Sequence, residues 1–259
     1  MRLYIIRHAQ SENNAFYVGH GTLGRRVPDP PLTATGHQQA QLLAQHLAQP
    51  VPSITTGEEQ AADFGLTHLY SSLMVRAVET ATYVAEGLDL ALVAWPDIHE
   101  VGGIYDEEES GERIGQPGHD RPFFTANHPR LLLPESLGES GWWNRPAEAR
   151  EAVIERARHF WQALFERHGG SADRVALMTH GGFFQRLMMT LINPQIDAVP
   201  PVRVDEKTVA ERPLGVQGLR QVWFDIQNTA ITRIDFFDAE AAIVYLNRVD
   251  HLPIELMTR

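Results

Sequence analysis

Four short strand-like runs, at residues 2–6, 67–72, 90–95 and 174–180, constrain this chain more than any other feature. Each is too short for a helix, and each is followed, at once or after an intervening segment, by apolar residues at helical spacing. Ala40, Leu43, Ala44 and Leu47 share one face of a helix that follows Thr35, and Ala77, Val78, Ala81, Val84 and Ala85 share one within 73–88. The segment 145–169 carries Val153, Ile154, Ala157, Phe160, Trp161 and Leu164 as a buried stripe, with Pro146 expected near its first turn, and 182–192 continues the fourth run as a helix. Strands alternating with helices build βαβ units. The expected fold is therefore a three-layer α/β/α arrangement around a mostly parallel sheet. Late in the chain, the stretch 220–238 reads as two strands around Asn228-Thr229, and 241–247 reads as a last strand, so the sheet is expected to carry an antiparallel edge.

The helical and strand periods both lapse between about 96 and 145, a stretch rich in Gly, Pro and acidic residues. A loop of that length in a compact domain is usually functional. The expectation is one domain over 1–259 with a cap-like insertion at about 96–145; the Pro-rich connection at 193–218 is the other aperiodic stretch. Specificity should reside in these two.

In an open parallel sheet, ligands bind beyond the carboxyl ends of the strands. Here the first run ends at Arg7-His8, the second at Ser71-Ser72 with Arg76 one turn into the next helix, the third leads to His99-Glu100, and the fourth ends at Thr179-His180-Gly181. Four strands thus deliver reactive or anion-binding groups to one edge. Two guanidinium forks can neutralise a phosphate dianion. One imidazole can attack phosphorus, a second can stabilise the developing charge, and a carboxyl can shuttle the proton.

A net charge of −11 disfavours nucleic acid and anionic membrane as partners. The chain has no cysteine, which excludes a disulfide framework and a thiol nucleophile. The first seven residues hold too short an apolar run for a signal peptide or membrane span, so a cytoplasmic protein is expected. No HExxH or paired acidic spacing suggests a metallohydrolase, and neither metal nor cofactor is expected. A small phosphorylated molecule is the expected partner, and homo-oligomerisation is left open.

The motifs are ordered. "RHAQSENN" resembles the R-H-G-[EQ]-[ST]-x-x-N signature of the histidine phosphatase superfamily, in its phosphoglycerate-mutase-like branch, and "PLTATGHQQA", "SSLMVRAVETA", "HEVGG", "MTHGGFFQRL" and "QNTAIT" resemble its later segments in order. The resemblance implies His8 as nucleophile, Glu100 as general acid and base, and Arg7, Arg76 and His180 as a phosphoryl clamp, helped by Asn14 and the Gly181 amide. Glu100 is favoured over Glu107, Glu108 and Glu109 because it follows the third strand directly and precedes Gly102-Gly103. Ala9 stands where the family has glycine, and Asn13 where many members have tryptophan.

Ser11 reads equally as a helix cap or a phosphate contact. Trp142 and Arg145, with Trp143, are candidates for the substrate pocket, core packing being the equal alternative for this pair of indoles. The leading activity is metal-independent phosphomonoester hydrolysis through a phosphohistidine. A phosphoglycerate mutase is the alternative, opposed by the acidic stretch "VGGIYDEEESGERIG" unless Arg113 or Arg121 folds inward. A non-catalytic phospholigand-binding protein is a further alternative.

Overall fold

In the computed structural model, which describes residues 1–20, 27–51, 62–108, 110–194, 223–238 and 240–259, the chain starts with β1 (Arg2–Arg7), α1 (Glu12–His20), α2 (Ala34–Ala48), β2 (Pro50–Val51) and β3 (Ala62–Asp63). Then come β4 (His68–Ser71), α3 (Val75–Leu88), β5 (Leu92–Ala94), β6 (Tyr105–Glu107), β7 (Arg113–Gly115), α4 (Arg121–Asn127) and β8 (Leu131–Leu132). The last elements are α5 (Arg150–His168), β9 (Arg174–Thr179), α6 (Gly181–Ile192), β10 (Ile231–Phe237) and β11 (Glu240–Arg248).

β1 is central and buried on both faces. Tyr4 and Ile6 pack with α2 and α3 residues such as Leu43, Leu47, Ala77 and Ala81. Leu3 and Ile5 pack on the opposite face with Val153, Phe160, Leu164, Phe183 and Leu187 of α5 and α6. The side-chain period of two therefore divides one strand between two cores and produces the three layers. Burying a side chain of this size is worth about 1.5–3 kcal/mol. The four together outweigh any single hydrogen bond, worth about 1 kcal/mol, and they hold the polar end of the strand in place.

The main sheet runs β11-β10-β1-β9-β4-β5-β8. β1, β9, β4, β5 and β8 are mutually parallel, while β10 is antiparallel to β1 and β11 to β10. The antiparallel edge is thus present, but its hairpin joins β10 to β11. Asn228-Thr229 does form a tight turn, the Ala230 N–H donating to Gln227 O at 3.2 Å, but residues 223–227 before it form no strand. Thr229 has φ 57°, and its N–H donates to Arg7 O at 3.1 Å. No helix among the described residues is long and apolar enough to cross a membrane.

Two other expectations shift. α5 begins at Arg150, so Pro146 lies before its first turn. The preceding residues are held elsewhere: the Glu148 N–H donates to Gly102 O, and the Glu148 carboxylate accepts twice from Arg156 at 2.6 and 2.8 Å. The 96–145 stretch contains the β6–β7 hairpin, α4 and the edge strand β8, all too short to leave a period in the sequence. Most of the 193–218 connection lies outside the described residues.

α2 is seated against the loop after β1. Thr33 caps it by accepting from the Gly36 N–H at 3.0 Å, and the same hydroxyl donates to Gln10 Oε1 at 2.7 Å. A Cβ on Gly36 would lie 2.1 Å from the Gln10 carbonyl oxygen. Alanine gains about 1 kcal/mol of helix propensity, but overpacking against backbone costs about 1–3 kcal/mol. Gly36→Ala is expected to lower the urea midpoint; an unchanged or raised midpoint would show that α2 can slide away from Gln10.

Candidate active site

Register brings the two histidines together. Arg7 pairs with Thr179 in the parallel β1–β9 ladder, and the His8 N–H extends that ladder to Thr179 O at 2.9 Å. His8 and His180 are each one residue past the pair, and their rings lie 5.1 Å apart between centroids. β4 flanks β9 on its other side, with Ser71 opposite Met178. That places the Ser72 hydroxyl 2.9 Å from His180 Nε2. His8 is 3% exposed and His180 fully buried.

α3 starts immediately after this edge and carries Arg76 in its first turn. Its N-terminus is capped by neighbours: the Met74 N–H donates to Ser72 Oγ at 3.1 Å and the Val75 N–H to Asp29 Oδ1 at 3.1 Å. Asp29 also lies 3.6 Å from Arg76 Nη1, both side chains being buried. Arg76 Nε donates to His8 Nε2 at 3.1 Å. Because a guanidinium has no lone pair to offer, His8 Nε2 must be the acceptor. The proton then sits on Nδ1, which meets the Ala9 carbonyl at 2.6 Å. His8 is thereby held as the neutral tautomer with its lone pair on Nε2.

The electrostatics agree. Burial first, then the Arg76 and Arg7 guanidiniums, hold the His8 imidazole well below its ordinary 6.5. His180 is lowered in the same direction by burial, then Arg76 and His8. Burial, Glu100 and Arg76 together leave Arg7 at about 10, still a cation at neutral pH.

Several buried donors point to an anion. Arg7 Nη1 donates to Ile226 O at 2.5 Å, but Arg7 Nε is buried with no acceptor among the described residues. It lies 3.5 Å from where a Gly181 Cβ would stand, so the guanidinium rests on the start of α6. The Ser72 hydroxyl accepts from the Met74 N–H and meets His180 Nε2; with the hydroxyl as donor in that contact, the proton of a neutral His180 ring sits on Nδ1. That atom too is buried without a partner among the described residues.

Glu100 follows β5 and a short 3₁₀ turn (Pro96–Ile98). Its carboxylate lies on the N-terminus of α6: Oε1 accepts from the Val101 and Phe183 N–H groups at 2.8 and 3.0 Å, and Oε2 from Gly182 at 3.1 Å. The Gly181 amide has no acceptor inside the helix. His99, fully buried, orients this segment. Its Nδ1 meets Glu100 O at 2.8 Å, and Arg156 donates to the carbonyls of Asp97 and His99 at 2.6 and 3.0 Å. Glu107 and Glu108 lie exposed on the β6–β7 hairpin, and Glu109 is outside the described residues.

The other candidates have internal partners. Asn14 Oδ1 accepts from the Ser11 N–H at 3.1 Å, the Ser11 hydroxyl at 3.0 Å and Asn228 Nδ2 at 3.3 Å. Ser11 Oγ in turn lies 3.4 Å from the Asn14 N–H, the cap geometry for α1. Trp142 and Trp143 pack on His99, with ring centroids 5.8 and 4.7 Å away. Trp143 packs against bare backbone at Gly103: a Cβ there, where φ is +73°, would stand 2.1 Å from its ring. Arg145 stacks on Trp143 at 3.9 Å and lines a cleft of about 590 Å³ with Asp97, Glu148 and Arg156. None of the cleft's lining residues is His8, His180 or either clamp arginine.

Sequence reasoning missed Asp29, Thr80 and Arg156. Thr80 Oγ1 accepts from the Ala9 N–H at 3.0 Å and fixes the residue after the nucleophile candidate. Of the three, only Arg156 left a signal, as a charge between Ile154 and Ala157 on an apolar stripe.

The comparisons with known proteins bear on this geometry. A family model described as the histidine phosphatase superfamily, branch 1, matches residues 3–215. The putative phosphoserine phosphatase 2 of Hydrogenobacter thermophilus is 24% identical over 253 residues, spanning 96% of this chain and 97% of its own length. The probable phosphoglycerate mutase GpmB of Proteus mirabilis is 27% identical over 173 residues, 65% of this chain and 70% of its own. The phosphoserine phosphatase of Entamoeba histolytica, solved with phosphoserine, aligns with TM-score 0.52 at 17% identity, covering 97% of this chain and 99% of that one. The mycobacterial glucosyl-3-phosphoglycerate phosphatase aligns with TM-score 0.53 at 18% identity, covering 96% and 99%. With its motifs in order, its mixed sheet of the same fold and a family match over most of its length, the chain belongs to the histidine phosphatase superfamily.

Proposed function

We propose that this protein is a phosphomonoester hydrolase that works through a phosphohistidine at His8. Arg7, Arg76, His180 Nδ1 and the Gly181 amide hold the phosphoryl oxygens. A dianion draws the Arg76 guanidinium onto itself and releases the His8 Nε2 lone pair. Nε2 then forms a bond to phosphorus as the ester P–O bond breaks, and the leaving oxygen takes a proton from Glu100. Glu100 Oε2, which accepts a single N–H, has room to carry that proton. In the second step the Glu100 carboxylate takes a proton from water, the water oxygen bonds to phosphorus, and the P–N bond breaks to return neutral imidazole. Guanidinium charge meets the phosphoryl charge throughout, so the scheme is metal-independent. It also fits a cytoplasmic setting, where small phosphorylated metabolites are made and consumed.

The observation that carries this reading is the His8 Nε2 lone pair turned to Arg76, beside two buried nitrogens, Arg7 Nε and His180 Nδ1, that have no partner among the described residues. Hydrolysis is favoured over mutase action by two arginines. Arg113 stays on its own hairpin, 3.5 Å from Glu107 and over the Tyr105 ring. Arg121 donates to Leu137 O at 2.8 Å and Pro134 O at 2.6 Å. Neither supplies a cation for the second charged group of a phosphoglycerate. The relatives' names point to small phosphorylated acids, and phosphoserine and 3-phosphoglycerate belong in the first substrate panel.

Turnover of such a panel in excess chelator should persist, release inorganic phosphate, and fall by at least about 10³-fold in His8→Ala. Turnover that needs added bisphosphoglycerate and releases no phosphate would establish the mutase instead.

The scheme also needs neutral imidazoles in the free enzyme, and this has a sign. His8, His99 and His180 are all lowered by burial first and by nearby guanidiniums. Below pH 6.5 the unfolded chain therefore binds protons that the native state refuses. Unfolding free energy should be at its full value above 6.5 and drop on acidification, by up to about 1.4 kcal/mol per pH unit for each such group. Chemical denaturation between pH 7.5 and 5 measures it; a flat profile would mean that these rings are protonated in the fold.

A further inference from the structure

The opposite edge of the sheet carries a second cluster, unconnected with the chemistry above. β4 begins at His68 and β9 at Arg174, and α5 ends at His168 just before β9. One ligand atom from each of His68, His168 and Asp173 lies within 4.8 Å of the others, the one such group among the described residues. The His68 and His168 rings meet edge to face at 4.6 Å. His168 Nδ1 is 2.9 Å from Asp173 Oδ2, and its Nε2 is 3.0 Å from the Tyr70 hydroxyl. β9 spans six residues from this edge to Thr179, about 17 Å at strand rise.

The hydrogen bonds decide which nitrogens are available. Thr67 Oγ1 donates its proton to Arg174 O at 3.3 Å and accepts from the Arg174 N–H at 3.0 Å. With that proton on Arg174 O, the imidazole is the donor at the 2.9 Å contact between Thr67 Oγ1 and His68 Nδ1, the tautomer that cation binding would select. That leaves Nε2 as the lone-pair nitrogen of His68, and no hydrogen bond engages it among the described residues. The Asp173 carboxylate accepts from His168, its Oδ2 lying 2.9 Å from His168 Nδ1. Its side chain is 29% exposed, so the carboxylate can be reached from solvent. Arg167, whose charge reaches Tyr70, is turned onto the Trp95 ring at 3.9 Å.

We propose that His68, His168 and Asp173 form a binding site for a borderline first-row divalent cation of the zinc class, with water completing the shell. Two imidazoles and a carboxylate with an open position suit such an ion. His68 binds through its lone-pair nitrogen and His168 through Nδ1. The His168 proton moves from Nδ1 to Nε2, where the Tyr70 hydroxyl accepts it, so the ring stays neutral and gains the outer partner that ligating histidines require. The ion joins the starts of β4 and β9 to the end of α5. Its role is that of a staple, remote from phosphoryl transfer.

The test uses the full chain, free of any affinity tag and stripped with chelator. Titration with Co²⁺ should give a saturable one-to-one visible absorption band that Zn²⁺ displaces, and Zn²⁺ should raise the melting temperature. His68→Gln leaves the Tyr70–His168–Asp173 chain intact, which guards against simple misfolding. It should weaken binding by more than about 100-fold, beyond the 10–100-fold that changes outside the ligand shell cost, while phosphatase turnover in chelator stays unchanged. Asp173→Asn should do the same. No saturable band, or a band that survives both substitutions, would overturn the proposal and leave the cluster a hydrogen-bonded chain.

Discussion

The pairing of Arg7 with Thr179 is the constraint on which the candidate site depends. A parallel ladder carries its register to the next residue on each strand, and here those residues are His8 and His180. A slip of one position would turn every side chain of a strand to the other face. Leu3 and Ile5 would then leave the α5–α6 core, and Tyr4 and Ile6 the α2–α3 core. The apolar residues thus set the register, and the register sets the distance between two imidazoles. Insertion of β9 between β1 and β4 adds the third contributor, Ser72, and with it the start of α3 and Arg76.

Around that pair, charge is arranged at some cost to stability. Guanidiniums keep their protons at neutral pH, so placing Arg7 and Arg76 beside His8 keeps the imidazole neutral, and among the described residues Arg7 Nε is left without an acceptor. Unsatisfied buried groups of this kind are rare in native folds and call for a reason. A bound phosphoryl group supplies one, because it would satisfy the donors and balance the cations in one step. Asp29 limits the cost while the site is open, holding Arg76 from the side away from His8. Arg156 does comparable work for the Glu100 segment, gripping the backbone of Asp97 and His99.

Much of this was legible in the sequence, for physical reasons that differ between elements. β1, β4, β9, α2, α3 and α6 announced themselves because burial imposes a period on them, and the polar residues that break each strand marked the rim. α5 was legible along its stripe but not at its start, since Glu148 is held by Arg156 and Gly102 rather than by the helix. At Asn228-Thr229 the turn and the strand after it are present, but the residues just before it, read as a strand, form none. The apolar residues of this stretch pack beneath the site, and Thr229 bonds to the end of β1. β8 and the β6–β7 hairpin are too short for any period. Asp29 and Thr80 act across 46 and 71 residues of chain, a relation that only the fold creates. Ser11 was open between two readings, and its hydroxyl is engaged within the α1 cap.

The central claim is covalent: phosphorus is carried on nitrogen at position 8. Rapid acid-free quenching during turnover, followed by peptide mapping of the trapped phosphoryl group, addresses it without assuming the substrate. The account predicts an acid-labile, base-stable phosphoramidate on the peptide containing His8, formed and discharged at rates compatible with turnover. Steady hydrolysis with no phosphorylated histidine, or with the group on His180 or on Glu100, would contradict it.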